Sequence, residues 1–285
     1  MSSDSPTPLQ PVSRRALQLA GLLSLLLIAV VLNSLLHGGS DSPFNPNPVA
    51  AAAEHTQEVP GMRMTLSMRI STESAPPITV SGGGVYNGEE NLGQFTYHLT
   101  DPQGAPQQFD AVMGEGAFYF RYPQLASKLP EGKEWLKIEG LPGQSDLSKP
   151  SESPQSSLQM LAAAGSVQRL GQARVRGVPT TRYRVTMTAA GIVENLRSQG
   201  RDELAEAVEA NQMAGPMHAE VFIDRHKLTR RMNLTSTVIA DGKTVTTEMH
   251  ADLFDFGIHP HIQLPDDSQV FDLDASQLEK LGQSS

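Results

Sequence analysis

Histidines, scattered carboxylates and a glycine triplet are the groups whose spacing comes nearest to chemistry in this 285-residue chain, which contains no cysteine. Without a thiol there is neither a cysteine nucleophile nor a thiolate metal ligand, and no G-x-S-x-G segment presents a serine on a nucleophile elbow. His259-Pro260-His261 is the close histidine pair, but a proline separates the two rings and no third ligand stands nearby, so it reads as a polar loop. His98, His218 and His250 fall at solvent-facing strand positions, without a carboxylate or nucleophile at the spacing a general base needs. Asp101, Asp110, Glu115, Asp224 and Asp252 are spread along the chain and form no glycosidase-like pair. Gly82-Gly83-Gly84 lacks the lysine and hydroxyl residue of a phosphate loop and reads as a strand kink. The expectation is a non-enzymatic protein with no catalytic residue, no metal and no cofactor.

What remains is apolar patterning, and it begins with position in the cell. Residues 16–36 form an uncharged, leucine-rich run long enough to cross a hydrocarbon core of about 30 Å, and Arg14 and Arg15 precede it at once. Positive charge on that side keeps the N-terminus cytoplasmic, so the expectation is a single-pass signal anchor in the cell membrane with everything after it extracytoplasmic. Residues 1–15 are then a short cytoplasmic tail. Residues 37–56, rich in glycine, proline and asparagine, read as a flexible tether. Residues 57–274 are long enough for one domain with its own core, and 275–285 form a polar tail. A net charge of −9 disfavours nucleic acid as a partner.

Within 57–274 the signal is alternation. Met62, Met64, Leu66, Met68 and Ile70 interleave with Arg63, Thr65, Ser67 and Arg69, a period of two that puts the apolar side chains on one face of a strand. The pattern recurs at Phe95-Tyr97-Leu99, Phe118-Phe120-Tyr122, Tyr183-Val185-Met187, Val221-Ile223, Met232-Leu234 and Met249-Ala251-Leu253. One dry face and one wet face belong to antiparallel sheets. Asn87-Gly88 and Asp241-Gly242 supply turns, and the glycine triplet offers further backbone freedom. Helical spacing marks 154–164 and 192–213, the latter broken at Gly200. The fold class that follows is α+β, a curved antiparallel sheet with helices on its concave face.

Strand parity also nominates a binding surface. Ten of the 11 methionines follow the anchor, several at inward positions, and methionine adapts to irregular apolar shapes. Met64, Leu66, Met68, Phe118, Phe120, Val185, Met187, Val221 and Met232 are the candidate lining of an apolar cavity. Ordinary core filling would give the same parity. Arg174, Arg176, Arg182 and Arg184, with Arg230-Arg231, form basic stripes that read either as a solvated strand face or as a contact for anionic head groups.

Several blocks carry a resemblance. Gly116-Ala117-Phe118-Tyr119-Phe120-Arg121-Tyr122, Leu129-Pro130-Glu131-Gly132-Lys133-Glu134-Trp135-Leu136-Lys137-Ile138, Arg176-Gly177-Val178-Pro179-Thr180-Thr181-Arg182-Tyr183, Val221-Phe222-Ile223-Asp224, Arg230-Arg231-Met232 and Asp252-Leu253-Phe254-Asp255-Phe256-Gly257 occur in an order that resembles the actinobacterial LppX/LprG-type envelope lipoproteins and their LolA-like relatives. The likeness covers about residues 57–274. It implies a half-barrel over an apolar cavity and a role in carrying lipids or acylated glycolipids for transfer or envelope assembly. This chain departs from that family in lacking a lipobox cysteine and having an apolar anchor in its place. The alternative is a sensor or scaffold that uses the same fold to bind an envelope membrane protein.

Overall fold

Period-two alternation builds the sheet from its middle outward. In the computed structural model, which describes residues 47–73, 75–100, 106–123, 129–139, 166–198, 202–210, 213–240 and 243–273, the methionine-rich segment is strand β1, Gly61–Thr72. It is followed by β2 Ala75–Asn87, β3 Leu92–Thr100, β4 Gln107–Gly114, β5 Ala117–Arg121 and β6 Trp135–Glu139. The second half contains β7 Val167–Val175, β8 Val178–Met187, β9 Met217–Asp224, β10 Thr229–Ala240, β11 Lys243–Phe254 and β12 Val270–Leu273. All twelve join one sheet in the order β12-β6-β5-β4-β3-β2-β1-β11-β10-β9-β8-β7, whose two end strands do not pair with each other. Every neighbour is antiparallel except β12, which lies parallel to β6.

Register fixes which side chains share a face. Met64 pairs with Leu253 and Gly84, Leu66 with Ala251 and Gly82, and Met68 with Met249 and Val80. Following the same pairs outward, Gly84 meets Phe95, Gly82 meets Tyr97, Ala111 meets Phe120, and Met113 meets Phe118. On the other side Ala251 meets Met232, Met232 meets Val221, and Ala219 meets Val185. Directly opposed residues project from the same side of a sheet, so one apolar face, here called the inner face, runs from β6 to β8 without a break.

The inner face carries a helix where the sequence reading placed a flexible tether. Residues 48–57 of the 37–56 segment and its border form α1, Pro48–Gln57. Asn47 caps it, its Oδ1 accepting from the Val49 and Ala50 amides at 3.0 and 3.4 Å, and Pro48 occupies the first helical position, where its missing N–H costs nothing. Val49, Ala50, Ala52 and Ala53 are 0–4% exposed, and Val49 and Ala52 pack into the cluster that holds Met68, Met187, Val221 and Met232. Two further helices, α2 Ala189–Ser198 and α3 Asp202–Ala210, fall in the stretch expected to be helical and pair through Val193 and Ala205, with Arg197 bonded to Glu209 at 2.9 Å. Ile192 carries that pair onto the main core.

The glycine triplet makes no turn: Gly82, Gly83 and Gly84 lie inside β2, none of them has positive φ, and pairing with β1 and β3 passes through them without a shift in register. They are there because the neighbouring strand comes close. A Cβ on Gly82 would stand 2.1 Å from the Thr96 carbonyl oxygen and 2.7 Å from the Tyr97 ring, and one on Gly84 would stand 2.0 Å from the Gln94 carbonyl oxygen and 2.7 Å from the Phe95 ring. Asn87-Gly88 does begin the β2–β3 turn as expected, with the Asn87 Oδ1 accepting from the Glu89 and Glu90 amides. The anchor at 16–36, the tails, the 154–164 segment and Asp241-Gly242 lie outside the described residues. Among the described residues no helix is long and apolar enough to cross a membrane.

On the outer face the basic stripes dissolve into local partnerships. Arg231 makes a two-pronged contact to Asp252 at 2.6 and 2.8 Å, Arg230 holds the buried Asp224 at 2.6 Å, and Arg182 and Arg184 share Glu220. Arg176 lies 3.8 Å over the Phe254 ring, and Arg230 lies 4.5 Å over Phe256. Burial pushes the Asp252 carboxyl up, but the hydrogen bond and charge of Arg231, with the charges of His250 and Arg176, outweigh it and hold the group below its ordinary value. A carboxyl lowered in the folded state adds stability above its unfolded pKa, about 3.9, and that stability is lost as pH falls through the lower folded value. Asp252→Asn should therefore cost about 2 kcal/mol at neutral pH and flatten the stability curve on the acid side of about pH 4, measured by urea unfolding across pH. An unchanged acid limb would mean that the pair contributes nothing.

Candidate functional site

The inner face divides into a packed half and a partly open half. On β1 and β8–β11 most inner side chains are closely buried, with Tyr183 and Val238 half-buried: Met68, Val185, Val221 and Met232 are 1–2% exposed and form one cluster with Leu66 and Met187. Five methionines, Met68, Met187, Met217, Met232 and Met249, lie in this cluster, and α1 packs into it against β9 and β10. Six of the nine residues nominated by parity are therefore a filled core. Met64, 5% exposed, is buried on the same face.

The other half, on β3–β6, is built from rings. Phe95 and Tyr97 stand two apart on β3 with ring centres 5.9 Å apart, and Tyr97 lies 5.2 Å from Phe109 of β4, which meets the edge of Tyr122 at 6.3 Å. Phe118 and Phe120 of β5 stack at 6.0 Å. Phe118 opposes Met113 and Ile138, and Phe120 opposes Ala111 and Leu136. Phe120 also packs beside Leu129 and Phe271. Unlike the methionine half, Tyr97, Phe109, Phe118, Phe120 and Tyr122 are only half-buried. The bare backbone of Gly82 and Gly84 gives the Phe95 and Tyr97 rings room to lie close against β2.

The two halves are continuous. Tyr97, Leu99 and Phe109 pack directly against the methionine cluster, so an apolar path leads from the rings to the methionines. The polar character of this face is slight. The Tyr97 hydroxyl is pushed well above its ordinary pKa by burial and stays protonated, while Tyr86, raised to about 12 for the same reason, donates to Asn91 Oδ1 at 2.7 Å. Among the described residues no group of three or more His, Asp or Glu side chains could hold a metal. His259 and His261 are exposed and separate, one 3.6 Å from Glu89 and the other bonded to Gln263. The arrangement can hold an apolar molecule against rings and thioethers.

Of the residues nominated from sequence, Phe118 and Phe120 reach the open half and the other seven line the buried half. Phe95, Tyr97, Phe109 and Tyr122 were missed as site residues. Phe95 and Tyr97 carried a usable signal, alternation on their own strand, but their approach to β5 depends on register through β4, where Gln107-Gln108-Phe109-Asp110 gives a mixed pattern.

No family model matches the chain. A curated relative from Streptomyces griseus, an uncharacterized 31.2 kDa protein in the rplA-rplJ intergenic region, is 26% identical over 202 residues, covering 64% of this chain and 66% of that protein. The chain thus matches just under two thirds of that relative's length. Among solved structures, the Mycobacterium tuberculosis lipoprotein LppX is 14% identical, with 76% of this chain and 96% of that one covered and a TM-score of 0.46. LprF from Mycobacterium bovis is 12% identical, with 78% and 99% covered and a TM-score of 0.37. A LolA superfamily protein from Nitrosomonas europaea is 8% identical, with 79% and 98% covered and a TM-score of 0.25. Among the described residues the sheet is large, unclosed and antiparallel but for β12.

Proposed function

We propose that this chain is a membrane-anchored, extracytoplasmic, non-enzymatic protein that binds the acyl chain of a lipid or acylated glycolipid on the ring-lined half of its inner face, for lipid transfer or envelope assembly. The observation that carries this reading is the half-buried state of Phe109, Phe118 and Phe120 on a face whose other half is mostly closely packed. Rings left short of full burial on a continuous apolar surface have solvent-facing area that a ligand can cover. Each methylene removed from water contributes about 0.8 kcal/mol, so ten methylenes laid along these rings would supply about 8 kcal/mol before the cost of ordering the chain. The apolar run at 16–36, with its preceding arginines, supports the anchor and the orientation.

The test is labelling with a palmitate that carries a photoactivatable diazirine in its tail. Peptides bearing Phe95 to Phe109 and Phe118 to Phe120 should capture the label, and excess unlabelled palmitate should remove it. Labelling spread evenly over outer-face peptides, or absent, would contradict the reading and favour the protein-binding scaffold.

A further inference from the structure

The rings of the open half carry one hydroxyl in a fixed place, that of Tyr97. Register sets Gly82 and Phe109 directly beside Tyr97, and its ring lies 5.9 Å from Phe95 and 5.2 Å from Phe109. Gly82 is part of that seat, since a Cβ there would stand 2.7 Å from the Tyr97 ring. A ring held on these sides holds the oxygen at its far end as well.

That hydroxyl lies deep in the protein, and burial keeps it protonated and able to donate. Tyr86, raised in the same way, donates to Asn91 Oδ1 at 2.7 Å, whereas among the described residues nothing pairs with the Tyr97 hydroxyl. Nor is it sealed off. The fully enclosed, unpaired side-chain oxygens of the described residues belong to Thr72, Thr180 and Thr229. The Tyr97 hydroxyl therefore keeps some accessible surface on the face that the rings line. A donor without an acceptor in apolar surroundings is unfavourable, and an occupant that brings an acceptor relieves it.

The surroundings restrict what that acceptor can be. The inner-face neighbours on β1–β4, Leu66, Val80, Phe95, Leu99, Gln107 and Phe109, carry no charge, so a carboxylate brought to the hydroxyl would be buried without a cation. An ester carbonyl is neutral, accepts a hydrogen bond and carries its alkyl chain with it. A free fatty acid can lay its tail on the rings only with its head group left in water, and the hydroxyl then stays unpaired.

From this juxtaposition we infer that Tyr97 Oη donates to the carbonyl oxygen of an ester-linked acyl chain, so that the ring-lined face selects acyl esters over free fatty acids. The inference rests on the lipid-binding reading and adds to it the residue that positions the chain and the class of lipid it favours.

The experiment uses the full chain, with the diazirine palmitate as reporter and two neutral competitors of equal chain length, 1,2-dipalmitoylglycerol and its dihexadecyl ether. The competitors differ only in their carbonyl oxygens. In the unaltered protein the ester should displace the label at about a fivefold lower concentration than the ether, the ratio expected of one net hydrogen bond. Tyr97→Phe, which keeps the ring and removes the hydroxyl, should abolish that ratio and leave labelling by palmitate itself unchanged. Urea unfolding is the second readout. Tyr97→Phe should be at least as stable as the unaltered chain, because its hydroxyl has no partner to lose, whereas Tyr86→Phe should be less stable and keep the fivefold ratio. If ester and ether compete equally in the unaltered protein, or Tyr97→Phe weakens both alike, the hydroxyl reads no carbonyl and the inference falls, while displaceable labelling of the β3–β5 peptides leaves the lipid reading standing. A Tyr97→Phe chain as destabilised as Tyr86→Phe would show a hydroxyl already satisfied within the protein, and the inference falls in the same way. If no inner-face peptide is labelled in any of the three proteins, the lipid reading itself falls, and this inference with it.

Discussion

Aspartate in place of Phe118 should reduce uptake of a fluorescent sixteen-carbon fatty acid at least tenfold while the sheet remains folded. Phe118 is half-buried, stacked on Phe120 at 6.0 Å and flanked by Met113 and Ile138 across the strands. A carboxylate there keeps its water in the free protein, because the position is only half-covered. It must lose that water when an alkyl chain lies across it, a cost of several kcal/mol against about 1.4 kcal/mol for each tenfold in affinity. The asymmetry between free and occupied states is what separates a binding effect from a folding effect. Gln94→Asp, on an exposed outer-face position of β3, is the control and should leave uptake unchanged. Fluorescence titration with circular dichroism on the same samples checks both; equal affinity for Phe118→Asp and the unaltered chain would exclude these rings from the site.

Valine at Gly84 should cost about 3 kcal/mol or more, a large share of the roughly 5–15 kcal/mol by which domains are stable. The Cβ alone would stand 2.0 Å from the Gln94 carbonyl oxygen and 2.7 Å from the Phe95 Cα, and both are backbone atoms of the paired strand. No side-chain rotation relieves such a clash. The strands must separate, which breaks the β2–β3 ladder near the middle of the sheet. Gly177 makes the contrast: nothing stands within 4 Å of its would-be Cβ, and its φ of +83° belongs to a tight turn, so Gly177→Ala should cost only about 1–2 kcal/mol of backbone strain. Urea unfolding compares the two. A Gly84→Val protein as stable as Gly177→Ala would show that β2 and β3 do not approach as closely as described.

The difference between those glycines also shows what the sequence makes legible. The alternation of β1 is unambiguous because every second residue from Met62 to Ile70 is apolar, and parity alone then assigns Leu66, Met68, Val221 and Met232 to one face. Parity does not say whether a face is filled. Methionines under α1 and rings beside them look alike along a single strand, and only the register of β2 through β6 separates the core from the open half. The triplet at Gly82 is ambiguous in sequence because glycine serves equally for turns and for close approach, and the carbonyls that demand it come from β3. In α1, proline, asparagine and flanking small residues suggested a tether, although Asn47-Pro48 ahead of four alanines is a cap, a permitted first position and a run of strong helix formers. The parallel pairing of β12 with β6 had no local signal, since it depends on the path of residues 255–269 around the far side of the sheet, where Ile262 and Leu264 pack against Val112 and Tyr119.

Native mass spectrometry with lipid extraction, on residues 42–285 exported without the anchor in a lipid-rich host, tests the central claim most directly. A ring-lined acyl site predicts a discrete added mass that denaturation releases as lipid and that Phe118→Asp abolishes. A clean mass for the protein alone, with no uptake of added phospholipid or acylglycerol, would contradict it.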